Sequence, residues 1–328
     1  MNTIEKYADR IEDGLQSIPF KKEPASLYDP CRYVLKNGGK RIRPILTLLG
    51  AGICGGNIEH SIPAALSVEL VHNFTLVHDD IMDQADSRRG KPSIHKKWNE
   101  ATAILAGDEL FVQACSLLSG YLSDPSVSEP RFKKLYDTFL NSIHTICEGQ
   151  ALDMDFEQRE NVRTQEYLDM IRGKTATLIA ASLCMGGITA GADENQIDLL
   201  ENMGLSAGMA FQIQDDMLDV MADPEKFGKC RGGDIRKGKK TFLTLHALEQ
   251  SNKSEKHKLQ QILDSQAVSE NDIDQVIDLY KKYGVLETAH EKVNSYYQTA
   301  MNSLNKFGDS TYKQDLFKLL NFLKDREY

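Results

Sequence analysis

The chain has 328 residues, 41% apolar and 27% charged, with 9 prolines and 23 glycines spread along it. That composition excludes a disordered or fibrous chain and argues against a turn-rich β sandwich. The net charge of −9 excludes a nucleic-acid binder driven by overall positive charge, so an anionic substrate would need local cations or bound metal.

The N-terminus, MNTIEKYADRIEDGL, mixes charges with apolar residues at helical spacing and does not read as a signal peptide. Pro19, Pro24 and Pro30 break the front of the chain. Apolar residues at three- and four-residue steps then predict helices over Ile45–Gly52, Ser61–Asp83, Thr102–Leu122, Phe132–Phe156, Thr164–Ile188, Glu194–Met221 and Lys240–Glu249. Further helices are predicted near 256–266, 270–300 and 311–325. DPSVSEP at 124–130 and GADEN at 191–195 separate two of these boundaries. Alternating β-branched runs with hairpin turns are missing. The stretch Thr175–Ala192 carries no formal charge, but its glycines and hydroxyl residues predict a helix buried inside the protein rather than a membrane span. No linker or short repeat divides the sequence. The expected fold is all-α: a single domain over 1–328, a bundle of roughly a dozen helices.

Cys31, Cys54, Cys115, Cys147, Cys184 and Cys230 are scattered without zinc spacing or a CxxC pair. They read as reduced thiols of a cytoplasmic protein.

One long-range echo stands out. FTLVHDDIMD at 74–83 and FQIQDDMLD at 211–219 both end apolar helices with Asp-Asp-x-x-Asp. Each is followed by a glycine-containing cationic stretch, SRRGKP at 87–92 and KFGKCRGGDIRKGKK at 226–240. Residues four apart share a helix face, so Asp79 pairs with Asp83 and Asp215 with Asp219. Two carboxylates ~5 Å apart repel by roughly 3 kcal/mol at an effective dielectric of ~20. A shared cation removes that cost, and oxygen-only ligands favour Mg²⁺, with Mn²⁺ as a substitute. The alternative for either cluster alone is a solvated helix end.

Lys40, Arg41 and Arg43 in GGKRIRP, Arg88 and Arg89, and Lys229 and Lys239 sit in glycine-rich or helix-start contexts. There side chains can fork onto phosphate oxygens. Together with metal-binding carboxylates they point to a diphosphate. His72 lies seven residues before Asp79, about 20° away on the wheel and two turns down the same face. It is a candidate substrate contact.

At this point the sequence resembles the trans-type isoprenyl diphosphate synthases, or polyprenyl synthetases. The resemblance rests on the ordered set GGKRIRP (38–44), HDDIMDQADSRRG (78–90), GKT (173–175), and FQIQDDMLD with the cationic stretch behind it. It implies an all-helical fold around a deep central cavity, usually as a homodimer. It implies that Asp79, Asp83 and Asp215 ligate Mg²⁺, with Asp80, Asp216 and Asp219 completing the catalytic clusters. Lys40, Arg43, His72 and Arg89 would hold isopentenyl diphosphate. Arg88, Lys174, Lys229 and Lys239 would hold the allylic diphosphate, while Thr175 and Gln212 would point oxygens at the developing allylic cation. The implied reaction is chain elongation from dimethylallyl, geranyl or farnesyl diphosphate, with no nucleic-acid partner.

Two rivals stay open. A class I terpene cyclase also starts from a DDxxD helix but would lack GGKRIRP and carry a different second metal motif. A catalytically silent partner subunit would share the fold, although intact acidic motifs at both sites argue against it. For product length, the family's pattern places the floor four or five positions before the first Asp, at Thr75 and Phe74, with Val71 on the neighbouring wall. One large residue there resembles archaeal-type geranylgeranyl diphosphate synthases; farnesyl or longer products are the alternatives. On an ideal wheel Thr75 lies about 40° from Asp79 but Phe74 about 140°, so Phe74 as the floor rests on the resemblance alone.

Overall fold

A computed structural model describes residues 2–221, 231–265 and 267–324. Among these the chain is helical apart from one two-stranded hairpin, and contacts divide it into two compact units.

The first unit comprises Met1–Leu140, Ala181–Leu200 and Phe307–Leu316. Its helices are α1 (Asn2–Ser17), α2 (Ala25–Lys36), α3 (Ile42–Ile53), α4 (Ile62–Met82), α5 (Ile94–Lys97) and α6 (Glu100–Ser119), followed by the start of α7 (Glu129–Gln158). α4 is the central element. It buries an unbroken run from Ala64 to Val71, as expected of a helix apolar on nearly every side. Each fully buried Leu or Val contributes roughly 1.5–3 kcal/mol, and Val68, Leu70 and Val71 are all sealed. Pro30, expected to break the chain, instead lies inside α2. There it removes one backbone donor from the helix ladder without ending it.

The hairpin was not expected. β1 (Ser87–Arg88) pairs antiparallel with β2 (Lys91–Pro92), and its two loop residues, Arg89 and Gly90, have φ of 53° and 73°. Two consecutive positive φ values are what a type I′ turn requires, and glycine at the second position supplies one of them without strain.

The second unit comprises Asn141–Ala180, Glu201–Lys306 and Phe317–Tyr328. It contains the rest of α7 and α8 (Thr164–Ile171), then the start of α9 (Thr177–Ala190) and most of α10 (Glu194–Met221). Then come α11 (Gly233–Arg236), α12 (Phe242–Gln250), α13 (Lys253–Leu263), α14 (Glu270–Lys282) and α15 (Val285–Asn305), and the C-terminal part of α16 (Thr311–Lys324). Phe242, Leu243, Ile273, Val276, Tyr280 and Val285 close its core against Ile213 and Met217 of α10. The single helix predicted over 270–300 is two, parted at Gly284, whose φ is 61°. The helix predicted over Thr164–Ile188 is interrupted by a π-helical turn at Arg172–Ala176.

The uncharged stretch after Thr175 is buried helix, with Leu178, Ile179, Leu183, Met185 and Ile188 inside. Among the described residues, one helix, Glu100–Ser123, is long and apolar enough by length and composition to cross a membrane. It packs along α4 and leaves Ile104, Leu105 and Val112 exposed on its other side. Cys31, Cys54, Cys115, Cys147 and Cys184 are free thiols; Cys230 lies outside the described residues.

Candidate active site

In the first unit, α4 acts as a ruler for three arginines. Near its middle, Glu69 accepts from Arg41 Nη1 at 2.5 Å. One turn on, His72 Nε2 lies 3.2 Å from Arg43 Nη1. Near its end, Asp80 Oδ1 accepts from Arg88 Nε at 2.7 Å and Nη2 at 2.6 Å. The fourth arginine, Arg89 at the hairpin tip, donates through Nη1 to the carbonyl of Gly38. Its guanidinium lies so close over Gly39 that a Cβ there would fall 2.8 Å from Nη1. The hairpin is held in place by Tyr33 Oη, which donates to Pro92 O at 2.9 Å, and by Ser93 Oγ, which donates to Ala85 O at 2.6 Å.

These contacts bring Arg43, His72, Arg88 and Arg89 together. Lys40 is exposed beside them. The His72 pKa is held well below its usual value, first by desolvation of the ring and then by Arg43, Arg89, Arg88 and Arg41. Arg43 and Arg89, with Arg88 and Arg41 held by carboxylates behind them, make the surroundings of this neutral imidazole cationic. Arg41 departs from expectation: instead of offering itself to phosphate, it is buried at 3% exposure with its donors spent inside the protein.

The two positions in each acidic motif separate by environment. Asp80 is buried against Arg88, whereas Asp79 is half-buried and Asp83 exposed. All three sit at the C-terminal end of α4, which has no basic residue in its last turn. The helix dipole is negative there, so each exposed carboxylate costs about 0.3–1 kcal/mol unless a cation offsets it.

Upstream, Val71 is sealed in the core. Thr75 Oγ1 donates to His72 O at 2.9 Å. Phe74 packs edge-on to His78, with centroids 4.8 Å apart, and against Phe111 of α6 at 5.6 Å. Phe111 stacks in turn on Phe139 at 6.4 Å.

The second unit positions its own candidate residues through close helix approach. A Cβ on Gly208 would meet Ala176 Cα at 2.4 Å, and one on Gly149 would meet Lys174 N at 2.4 Å. Only glycine permits these contacts, and they press α10 and α7 against the π turn. One helical turn beyond Gly208, Gln212 Oε1 accepts from Thr175 Oγ1 at 3.0 Å. One turn beyond Gly149, Asp153 pairs with Lys174. Asp153 was missed in the sequence. Its four-residue step from Gly149 in GQALDMD was the available signal.

Asp216 is the buried member of the second motif. It accepts from Tyr167 Oη at 2.5 Å, Gln212 Nε2 at 3.3 Å and the Phe242 amide at 3.3 Å. Burial, reinforced by nearby Asp234, pushes its pKa up to about 8. Asp215 and Asp219 are half-buried. Asp219 Oδ2 accepts from the Asp234 amide at 2.9 Å, which ties the Gly232–Lys240 segment to the end of α10. A cavity of about 710 Å³ opens over this surface, lined in part by Asp153, Lys174, Thr175, Gln212, Asp216 and Lys239. Lys229 lies outside the described residues.

These residues fit a divalent cation of a particular kind. Each acidic motif offers oxygen donors from aspartates four apart, without His or Cys. Among the described residues no group of three or more His, Cys, Asp and Glu is placed to hold an ion by itself. Oxygen-only donors suit a hard ion that keeps water and takes further ligands from a substrate phosphate; they do not suit a closed structural zinc site of Cys and His.

Residues 24–280 match the family model described as polyprenyl synthetase. The geranylgeranyl diphosphate synthase of Sulfolobus acidocaldarius is 41% identical over 93% of this chain and 91% of its own length. The crystal structure of geranylgeranyl pyrophosphate synthetase from Pyrococcus horikoshii superposes with a TM-score of 0.94 at 36% identity, covering 99% of this chain and 98% of that one. That of the geranylgeranyl pyrophosphate synthase from Corynebacterium glutamicum, complexed with isoprenyl diphosphate and magnesium, gives 0.86 at 26% identity, over 99% of each chain. The chain belongs to the polyprenyl synthetase family and is a prenyltransferase.

Proposed function

We propose that the chain condenses isopentenyl diphosphate with allylic diphosphates, and that its main product is the twenty-carbon geranylgeranyl diphosphate. The observation that carries this reading is the recess around His72. There Arg43 meets the neutral His72, Arg89 rests on the Gly38 carbonyl, and Arg88 is held by Asp80 on the same helix that carries Asp79 and Asp83. In this reading Lys40, Arg43, His72 and Arg89 bind the diphosphate of isopentenyl diphosphate. Arg88, Lys174, Lys229 and Lys239 bind that of the allylic substrate, and the two units work as one synthase domain.

Asp79, Asp83 and Asp215 would hold Mg²⁺, which supplies charge neutralisation for the departing diphosphate. Lys174, fixed by Asp153, and Lys239 add fixed positive charge where negative charge grows as the allylic C–O bond breaks. Thr175 and Gln212, locked to each other and to Asp216, present oxygens to the allylic carbon as it becomes cationic. The isopentenyl double bond, held by the His72 recess, supplies the electron pair for the new C–C bond. The adjacent proton then leaves to the released diphosphate. Asp80 and Asp216 serve this chemistry from inside, by holding Arg88 in place and by fixing Gln212.

Phe74, backed by Phe111, is the proposed stop for the growing tail, with Thr75 and Val71 on the same helix. The exposed apolar face of α6, with Ile104, Leu105 and Val112, is where a second copy would seat in a homodimer. Free thiols in every described cysteine suit the cytoplasm. Incubating the purified chain with isopentenyl and farnesyl diphosphates, then separating the dephosphorylated alcohols, tests the reading. Geranylgeraniol supports it. A cyclised hydrocarbon would favour the cyclase rival, and no turnover by the chain alone would favour the silent subunit.

A further inference from the structure

Of the three basic residues in GGKRIRP, the middle one, Arg41, is turned into the protein interior. Arg41 occupies a left-handed backbone position, φ 47° and ψ 32°, immediately before α3. A non-glycine residue holds such a conformation only where its surroundings over-determine it. Here they do. Nε donates to Glu12 of α1 at 2.7 Å, Nη1 to Glu69 of α4 at 2.5 Å, and Nη2 to Leu35 O at the end of α2 at 2.7 Å. The side chains of Arg41 and Glu69 are 1% and 2% exposed, and that of Glu12 is 40% exposed. Glu69 is itself held: its Oε1 also accepts from Asn73 Nδ2 at 3.0 Å.

A buried ion pair with this burial is weak evidence for stability, because desolvation offsets most of the attraction. Its geometry is more telling. One planar guanidinium nails the turn between α2 and α3 to three separate helices. Lys40 immediately precedes Arg41, and Arg43 follows two residues later. Gly38, two residues before Lys40, supplies the carbonyl on which Arg89 rests. Every cation of the His72 recess except Arg88 therefore touches or belongs to the segment that Arg41 fixes.

We propose that Arg41 and Glu69 are a positioning pair for the isopentenyl diphosphate site: they touch no substrate, and they set the turn that places Lys40, Arg43 and the docking surface for Arg89. The inference rests on the proposed reading of Lys40, Arg43, His72 and Arg89 as that site. Because a guanidinium spreads its donors over a rigid plane whereas an ammonium donates from one atom, lysine at position 41 keeps the charge and cannot span the three separated acceptors.

The experiment compares Arg41→Lys, Glu69→Gln, their combination, Glu12→Gln and Arg89→Ala, reading the KM for isopentenyl diphosphate, the KM for farnesyl diphosphate, kcat and thermal midpoint. Arg41→Lys and Glu69→Gln are each expected to raise the isopentenyl diphosphate KM roughly tenfold, with kcat and the farnesyl diphosphate KM within about twofold. The combination should be no worse than Arg41→Lys alone, since both break the Arg41–Glu69 contact. Glu12→Gln removes only the exposed partner, so it should raise the same KM by a smaller factor, with the thermal midpoint unchanged. It decides the matter if the buried variants do not fold. Wild-type KM values in the folded variants would overturn the proposal, as would a parallel fall of kcat and rise of both KM values tracking thermal destabilisation. If Arg89→Ala raises the isopentenyl diphosphate KM and the Arg41, Glu69 and Glu12 variants do not, positioning alone is wrong. If Arg89→Ala leaves it unchanged as well, the site assignment fails with it.

Discussion

Arg43 donates through Nη1 to Nε2 of His72 across 3.2 Å. Arginine has no acceptor, so His72 must present a lone pair at Nε2 and carry its proton on Nδ1. The imidazole is neutral, in keeping with its strongly lowered pKa.

That has a consequence for stability. Unfolded, His72 takes up a proton as pH falls through about 6.5; folded, it does so only well below that. The unfolded state therefore binds more protons in this window, and stability present above pH 6.5 is lost on acidification by about 1.4 kcal/mol per pH unit. His72→Gln should remove that increment. Denaturant midpoints of both proteins between pH 7 and 5 read it directly, and equal slopes would show that His72 takes up its proton over the same pH range folded and unfolded.

The acidic motifs should divide into two classes. Asp79→Ala and Asp215→Ala should lower kcat by roughly a hundredfold or more with a smaller change in thermal midpoint than their buried neighbours give, since both are only half-buried. Asp80→Ala and Asp216→Ala should also cost stability, about 1–3 kcal/mol each, because Arg88 and Tyr167 lose buried partners. Thermal melts alongside kinetics check the split. Equal destabilisation by all four would erase the distinction between outer and inner aspartates.

Much of this was legible in sequence, because helical periodicity places Asp79 with Asp83 and puts His72 on the same stripe. Three features were not. The π turn carrying Lys174 and Thr175 is hidden inside a continuous apolar pattern; it is set by Gly149 and Gly208, which act across space. Arg41 reads like its neighbours Lys40 and Arg43, and only the left-handed turn sends it inward. The Arg89–Gly90 turn lacks the alternating strands that normally announce a hairpin, since each strand is two residues long.

The π turn gives its own test. Gly208→Ala places a methyl 2.4 Å from Ala176 Cα, so α10 must retreat at a cost of about 1–3 kcal/mol. Gln212 should then lose Thr175, and kcat should fall more than either KM rises. Unchanged kcat in a destabilised variant would mean that the Thr175–Gln212 contact does not serve the chemistry.

The two diphosphate sites should separate kinetically. Lys40→Ala and Arg89→Ala should mainly raise the isopentenyl diphosphate KM, because the group they bind keeps its charge in the transition state. Lys174→Ala and Lys239→Ala should cut kcat, because charge grows on the diphosphate they face. Uniform shifts across all four would collapse the two sites into one.

Product length depends on steric arrest. Burying another isoprene unit is favourable at about 25 cal/mol per Å², so growth ends only where the tail meets a side chain it cannot displace. Phe74→Ala should lengthen the products, and removing Phe111 as well should lengthen them further. Thr75→Phe should shorten them towards farnesyl diphosphate. An unchanged distribution in the Phe74→Ala/Phe111→Ala variant would place the stop on another helix.

The most direct measurement is incorporation of labelled isopentenyl diphosphate onto farnesyl diphosphate by the purified chain, in Mg²⁺, in excess EDTA, and after Mg²⁺ is restored. The account predicts labelled twenty-carbon product with Mg²⁺, none with chelator, and full recovery on restoration. Incorporation undiminished in excess EDTA, or none under any condition, would contradict it.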